Sequence, residues 1–168
     1  MATEWEYSLS FRVHHPSADP IAIADALGWK PQWAWKAGQS RKDGAGRPMN
    51  GTYSQSYCSF DLDAPQQEPL AALLRRAVEY LGKKRGLLRE LTETGGRLVF
   101  WVGLYVTKAT GDEVDASVLA ECGNLGVGIA LLVSPFAMPR YDGEKRNILR
   151  PPEDPSAGGG RTTDGDGG

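Results

Sequence analysis

The sequence predicts an α+β fold of the ferredoxin-like kind, a split β-α-β arrangement with the order βαββαβ, extended by a C-terminal helix and strand. Two observations support this prediction. Strand-like and helix-like patterns follow one another in that order, and one run, Arg97–Val106, is apolar on both faces. Such a strand needs neighbours on both sides, so we expect it inside the sheet, with the helices packed mainly on one sheet face.

The first two elements are marked by periodicity and by their ends. Residues 6–14 alternate between apolar and polar side chains, which is typical of a half-buried strand. Asp19 and Pro20 are typical of a capped helix start, and Gly28 is typical of a helix stop. We therefore expect a short helix over 21–27.

The next segments have extended character. Pro31 is compatible only with a strand start or edge, so we interpret 32–37 as a short edge strand. Residues 39–51 have no regular period and predict a long surface loop. Residues 52–62 resume the alternation of a strand.

The second half of the chain again combines helices and strands. Leucines recur at helical spacing over 68–91. Gly82 and Gly86 predict a bend or break there, because each costs about 1 kcal/mol relative to alanine. A helix over 115–122 and a last strand over 127–133 are expected after the apolar strand.

We predict a single α+β domain over 1–138 and a Pro/Gly-rich tail over 139–168. From about residue 151 the tail has almost nothing to bury, which predicts disorder. No signal sequence and no apolar run near the roughly 20 residues that span a bilayer is evident, so we expect a cytoplasmic protein with no membrane partner. The two cysteines lack metal-ligand spacing, and we predict reduced thiols, no metal and no cofactor.

The order of elements and several short motifs resemble a bacterial family known as domain of unknown function 4279. The resemblance lies in Ala-Leu-Gly at 26–28, Trp-Lys-Pro at 29–31 and Trp-Lys-Ala-Gly at 35–38, and it covers residues 5–135. Tyr53 stands where a tryptophan is common in that family. The resemblance implies no settled activity and no catalytic residues. Some family members are suspected immunity proteins that accompany bacterial toxins.

Aromatic side chains form the first candidate site. Tyr57, Trp101 and Tyr105 share one strand phase, so we place them together on the sheet face that is less covered by helices. Tyr53 and one of Trp33 or Trp35 are expected near its rim, and Trp35 is our choice for the site. Clustered exposed aromatic side chains mark contact sites, because such surface is costly to leave in water. The alternative is that the surface loop or the segment after Val133 covers this face and makes it core.

A basic loop forms the second candidate site. Arg41, Lys42 and Arg47 lie beside glycines and could hold an anion. The loop does not join a strand to a helix N-terminus, so it predicts neither a P-loop nor a dinucleotide-binding turn, and a solvated loop is the alternative. The net charge of −2 argues against general nucleic-acid binding.

These observations predict a non-enzymatic cytoplasmic interaction module that binds a protein partner or a second copy of the chain. An immunity-type protein that occludes its partner is one form of such a module. The alternative is a small-ligand or nucleic-acid binding domain that uses the aromatic face and the basic loop. An enzyme is less favoured, because no nucleophile–base set is evident. His14 and His15 are a candidate base or ligand pair, but polar residues are also common at a strand end.

Overall fold

The computed structural model describes residues 6–64, 68–135 and 146–150. Eight strands and four helices lie within these ranges. The strands are β1 Glu6–His15, β2 Trp33–Trp35, β3 Ser40–Lys42, β4 Pro48–Thr52, β5 Ser56–Asp63, β6 Arg97–Tyr105, β7 Val127–Ser134 and β8 Arg146–Ile148. The helices are α1 Pro20–Leu27, α2 Leu70–Gly82, α3 Arg85–Glu93 and α4 Ala116–Asn124.

The main sheet confirms the predicted fold class. Strands β2, β5, β1 and β6 lie side by side in that order, and each neighbouring pair is antiparallel. This is the arrangement expected of a ferredoxin-like α+β fold. Helix α4 leads into β7, which pairs with β6 in parallel and extends the row. The apolar strand β6 therefore has a neighbour on each side, as its composition predicted.

The core lies between the helices and one face of this sheet. Phe11 on β1 sits opposite both Phe60 on β5 and Phe100 on β6, and all three side chains are fully buried. The Phe11 ring lies 6.5 Å from the Phe60 ring and 5.5 Å from the Phe100 ring, measured between centroids. All four helices contribute buried side chains to the same cluster, among them Leu74 and Val118. The prediction that the helices pack mainly on one face is confirmed.

The helix ends follow the local sequence. The Asp19 carboxylate accepts a hydrogen bond from the backbone N–H of Ile21 at 2.9 Å, and Gly28 ends α1 with a φ of 72°. That left-handed conformation favours glycine, because a side chain would crowd the backbone. The leucine-rich segment is broken between Gly82 and Arg85, close to where the glycines predicted.

His15 has a structural role at the end of β1. Its side chain is buried, and Nδ1 accepts hydrogen bonds from the backbone N–H groups of Ser17 at 3.0 Å and Ala18 at 2.8 Å. Nε2 therefore carries the ring proton and donates it to Oγ1 of Thr94, 2.8 Å away. These bonds tie the turn after β1 to the end of α3 and use both ring nitrogens.

Residues 39–51 do not form the irregular loop that the sequence predicted. Strands β3 and β4 pair there as an antiparallel hairpin. Every residue of both strands is exposed. The prediction was wrong because a hairpin that buries neither face shows no alternation of polar and apolar side chains.

The short strand β8 completes the outer edge of β5. Strand β2 pairs with residues 57–59 of β5, and β8 pairs in parallel with residues 61–63. The side chain of Arg146 forms an ion pair with Asp63 at 2.6 Å. Leu149, which follows the strand, packs into the core.

The predicted domain boundary at residue 138 is therefore wrong for residues 146–150. A strand of three residues is too short for its hydrophobic period to be recognised, and it is stabilised by backbone groups of a distant strand. The rest of the predicted tail, 139–145 and 151–168, lies outside the described residues, as does the predicted disorder from about residue 151.

Candidate functional site

The sheet face opposite the helices, which we call the open face, carries polar and aromatic side chains at successive strand positions. Ser10 on β1 lies between Asp61 on β5 and Trp101 on β6 in the strand register. Arg12, two residues along β1, is on the same face and opposite Ser59. Because side chains alternate between faces, the residues between these positions point into the core.

A cavity of about 180 Å³ lies on the open face. Serines form its centre, since Ser10 and Ser59 are only 7% and 3% exposed. Larger side chains stand around them, and this difference in size makes the face concave. The aromatic and charged residues that line this open-face cavity are Tyr7, Trp33, Tyr57, Trp101, Tyr105, Arg12, Asp61, Asp63 and Arg146.

Trp101 is held under a cation. The guanidinium carbon of Arg12 lies 4.2 Å from the centroid of the Trp101 ring, within the range of a cation–π interaction. Nε of Arg12 donates a hydrogen bond to Oγ of Ser10 at 3.2 Å. The other guanidinium N–H groups of Arg12 donate to no residue in the described part of the chain.

Tyr105 depends on a glycine two residues before it. A Cβ atom at Gly103 would lie 3.2 Å from a ring carbon of Tyr105 and 2.5 Å from Oγ of Ser8. The absence of a side chain at this position allows the tyrosine ring to fold back along β6 and form one wall of the cavity. Glycine in a strand often marks such a close approach.

Asp61 provides an unpaired carboxylate. Burial raises the pKa of Asp61, and this effect outweighs the attraction of Arg146 and Arg12 for its charged form, while Asp63 raises the pKa further. No described residue donates a hydrogen bond to the Asp61 carboxylate. Gln32, which also lines the cavity, buries its side-chain oxygen without a hydrogen-bond partner among the described residues. Buried polar groups of folded proteins are rarely left in this condition.

A second group of aromatic rings forms a continuous stack beside the cavity. The ring of Trp35 stacks between those of Tyr53 and Tyr57, with centroid distances of 4.8 Å and 4.4 Å. The ring of Tyr57 in turn lies 4.9 Å from that of His14. The pKa of His14 is lowered, first by burial and then by the nearby charges of Arg97 and Arg12. A lowered pKa keeps His14 neutral near pH 7, so it adds no cation to the stack.

The residues of the predicted basic loop do not act as one group. Arg47 pairs with Asp43 at 2.7 Å on the β3–β4 hairpin. Arg41 and Lys42 remain exposed and line a wide groove of about 980 Å³, together with Trp33. This groove lies beside β2 and adjoins the open-face cavity at Trp33, which lines both.

The structure thus divides the predicted site. It places Tyr57, Trp101 and Tyr105 around one cavity, whereas Trp35, Arg41 and Lys42 line the groove. Most of the charged and polar residues of the cavity were not predicted. The alternation along β1 and β5 could have identified Arg12 and Asp61. No sequence signal identifies Gln32 and Arg146, whose positions depend on the path of an edge strand.

Comparisons with protein-family models, curated proteins and solved structures find no match. The resemblance to the domain of unknown function 4279 family therefore stays a prediction. Among the described residues there is no group of three metal-ligating side chains, and no helix is long and apolar enough to cross a membrane.

The two faces of β6 predict different costs for neighbouring substitutions. Phe100→Ala should destabilise the protein by about 3–5 kcal/mol, since it removes a fully buried ring. Trp101→Ala should cost clearly less, because that ring is only half-buried and borders a cavity. Urea unfolding of both variants measures the difference. Equal losses would mean that the open face is as buried as the core.

Asp61 predicts an unusual dependence of stability on pH. Because folding raises the pKa of Asp61, its ionised form lowers the stability of the folded state above that pKa, and this cost disappears below the carboxyl's ordinary pKa. Asp61→Asn should therefore raise the urea midpoint at pH 7, and the gain should shrink as the solution is acidified. Asp25→Asn, at an exposed position of α1, is the control and should change little. A loss of stability in Asp61→Asn at pH 7 would show that the carboxylate is paired.

Proposed function

We propose that this chain is a non-enzymatic module that binds a small molecule in the open-face cavity. The proposal rests on one observation: the cavity combines aromatic walls with polar groups that have no hydrogen-bond partner among the described residues. These groups are the Asp61 carboxylate, the side-chain oxygen of Gln32 and the outer N–H groups of Arg12. Binding sites typically combine mostly apolar walls with a few polar groups that fix the orientation of the ligand. The volume of about 180 Å³ is below that of sites for drug-sized molecules and suits a small ligand.

The arrangement of nucleophiles supports binding rather than nucleophilic catalysis. None of the serines that line the open-face cavity is hydrogen-bonded to a histidine among the described residues. Burial raises the pKa of Cys58 to about 12 and also raises that of Cys122, so neither thiol is activated near pH 7. Both cysteines are free and buried, which supports the proposed location in the reducing cytoplasm.

A fragment titration tests the proposed site. Small aromatic amines, acids and amino acids are added to isotope-labelled protein, and backbone amide shifts are followed by NMR. At least one compound should move the resonances of Ser10, Ser59 and Trp101, and Trp101→Ala should abolish that effect. Tyr53→Ala is the matched control, because Tyr53 lines the other groove and its ring stacks on Trp35 rather than on a residue of the cavity, so its loss should leave the titration intact. Shifts confined to the groove, or none at all, would contradict the proposal.

The edge strand β7 supports a second candidate function, the predicted interaction with another protein or a second copy. Leu131, Leu132 and Val133 are 66%, 47% and 60% exposed. Among the described strands β7 pairs only with β6, and its sequence contains no charged residue and no proline. Edge strands usually carry such residues to prevent pairing with other chains, so this edge favours the addition of a partner strand. An immunity-type function of the kind implied by the family resemblance would use such a surface.

Self-association at this edge predicts a specific response to charge. Leu131→Lys should convert a wild-type dimer to a monomer in analytical ultracentrifugation, since a lysine at an edge opposes strand pairing. Ile21→Lys, at an exposed apolar position on α1, is the control and should leave the mass unchanged. A wild-type protein that is monomeric at high concentration, or a dimer that Leu131→Lys leaves intact, would contradict pairing of two copies through β7.

A further inference from the structure

We infer that the ligand of the open-face cavity is a zwitterion, a small molecule of the amino-acid class that carries both an ammonium and a carboxylate group. This inference rests on the proposed binding function and adds the chemical class of the ligand. It follows from the balance of charge in the cavity, from the positions of the unpaired groups and from the apolar walls.

The cavity lining is electrically balanced. Two arginines, Arg12 and Arg146, face two aspartates, Asp61 and Asp63. Arg146 and Asp63 form their own ion pair at 2.6 Å. The remaining cation, Arg12, and the remaining anion, Asp61, form no ion pair among the described residues. A ligand with a single charge would leave an unmatched charge in a partly desolvated site, which is costly. A ligand with both charges leaves the site neutral.

The unpaired groups lie on opposite sides of β1. Asp61 is on β5, and Gln32 lies beside that strand because its backbone N–H donates to the carbonyl of Ser59 at 2.8 Å. Two acceptors without donors therefore lie on the β5 side, where an ammonium group could donate to both. The guanidinium of Arg12 lies over Trp101, which belongs to β6. Its free N–H groups can donate to a carboxylate on the β6 side.

Ser10 holds this arrangement in place. It sits opposite Asp61 on one side and Trp101 on the other, and its Oγ accepts the hydrogen bond from Nε of Arg12. This bond orients the guanidinium and leaves its outer edge free. The aromatic side chains Trp33 and Tyr105 then remain as walls for the hydrocarbon part of the ligand.

Matched sets of probes test the inference by calorimetry and NMR titration of the full chain. One set is phenylalanine, phenethylamine and 3-phenylpropionate, and the other is 6-aminohexanoate, hexylamine and hexanoate. Each set contains a zwitterion and its two analogues with one charge, and the zwitterions differ in the spacing of their charges. In at least one set the zwitterion should bind about tenfold or more tightly than either analogue, since each charge-assisted hydrogen bond adds affinity.

Two variants assign the charges. In Asp61→Asn the zwitterion should lose its advantage over the carboxylate analogue, and in Arg12→Gln it should lose its advantage over the amine. Asp25→Asn is the control for charge alone. Equal binding of a zwitterion and an analogue in both wild-type sets would overturn the inference, as would variants that leave the preference unchanged. Uncharged indole distinguishes failure of the inferred ligand class from failure of the proposed site. If indole shifts the cavity resonances but neither zwitterion is preferred, the zwitterion inference is wrong and the binding site stands. If no probe shifts these resonances, the proposed binding site is wrong as well.

Discussion

The pairing of β1 with a strand on each side determines both faces of the sheet. Residues 9–15 of β1 pair with β5, and residues 6–14 pair with β6. Its alternate residues therefore determine what faces the helices and what faces away. Phe11 meets Phe60 and Phe100 in the core, while Ser10 and Arg12 meet Asp61 and Trp101 on the open face. A shift of one residue would exchange these two sets, and burial of the phenylalanine rings opposes such a shift.

The same constraint explains why the open face is a cavity rather than a flat surface. Burial of the phenylalanines fixes the register, and the register then brings Ser10 and Ser59 to the middle of the other face. Their small side chains lie below the level of Trp33 and Trp101, which border them. The cavity is thus mainly a consequence of strand pairing and residue size, to which Gln32 adds a polar group from the segment before β2.

The stability of the fold and the chemistry of the site make opposing demands at Asp61. Its raised pKa shows that the folded protein disfavours the ionised carboxylate, and no described residue compensates it with a hydrogen bond. Perturbed ionisable groups in cavities are typical of functional sites, although structural networks also produce them. An asparagine at position 61 would fill the same space without the cost of burying a charge. The proposed binding function would give the Asp61 carboxylate a role, namely to pair with a charge on the ligand.

The sequence could predict those parts of the molecule that bury one face. Alternation identified β1, β5 and the phase shared by Tyr57, Trp101 and Tyr105, and the capping residues identified α1. The β3–β4 hairpin could not be predicted, since it buries nothing, and β8 could not be predicted, since it owes its conformation to a strand more than 80 residues away. Within the site, the alternation of side chains along β5 and β6 was enough to predict that Tyr57, Trp101 and Tyr105 share one sheet face. The pairing of Arg146 with Asp63, which leaves the Asp61 carboxylate without a hydrogen-bond donor among the described residues, could be seen only from the path of the chain in space.

Oxidative footprinting of the tryptophans determines whether the open face is accessible to a ligand. Trp29 is an internal control, because it is 6% exposed and packs in the core, whereas Trp33 is 48% exposed and Trp101 is half-buried at the cavity. We expect Trp33 to be oxidised fastest, Trp101 at an intermediate rate and Trp29 slowest. Protection of Trp33 and Trp101 to the level of Trp29 would show that the chain covers this face, and would contradict a binding site there.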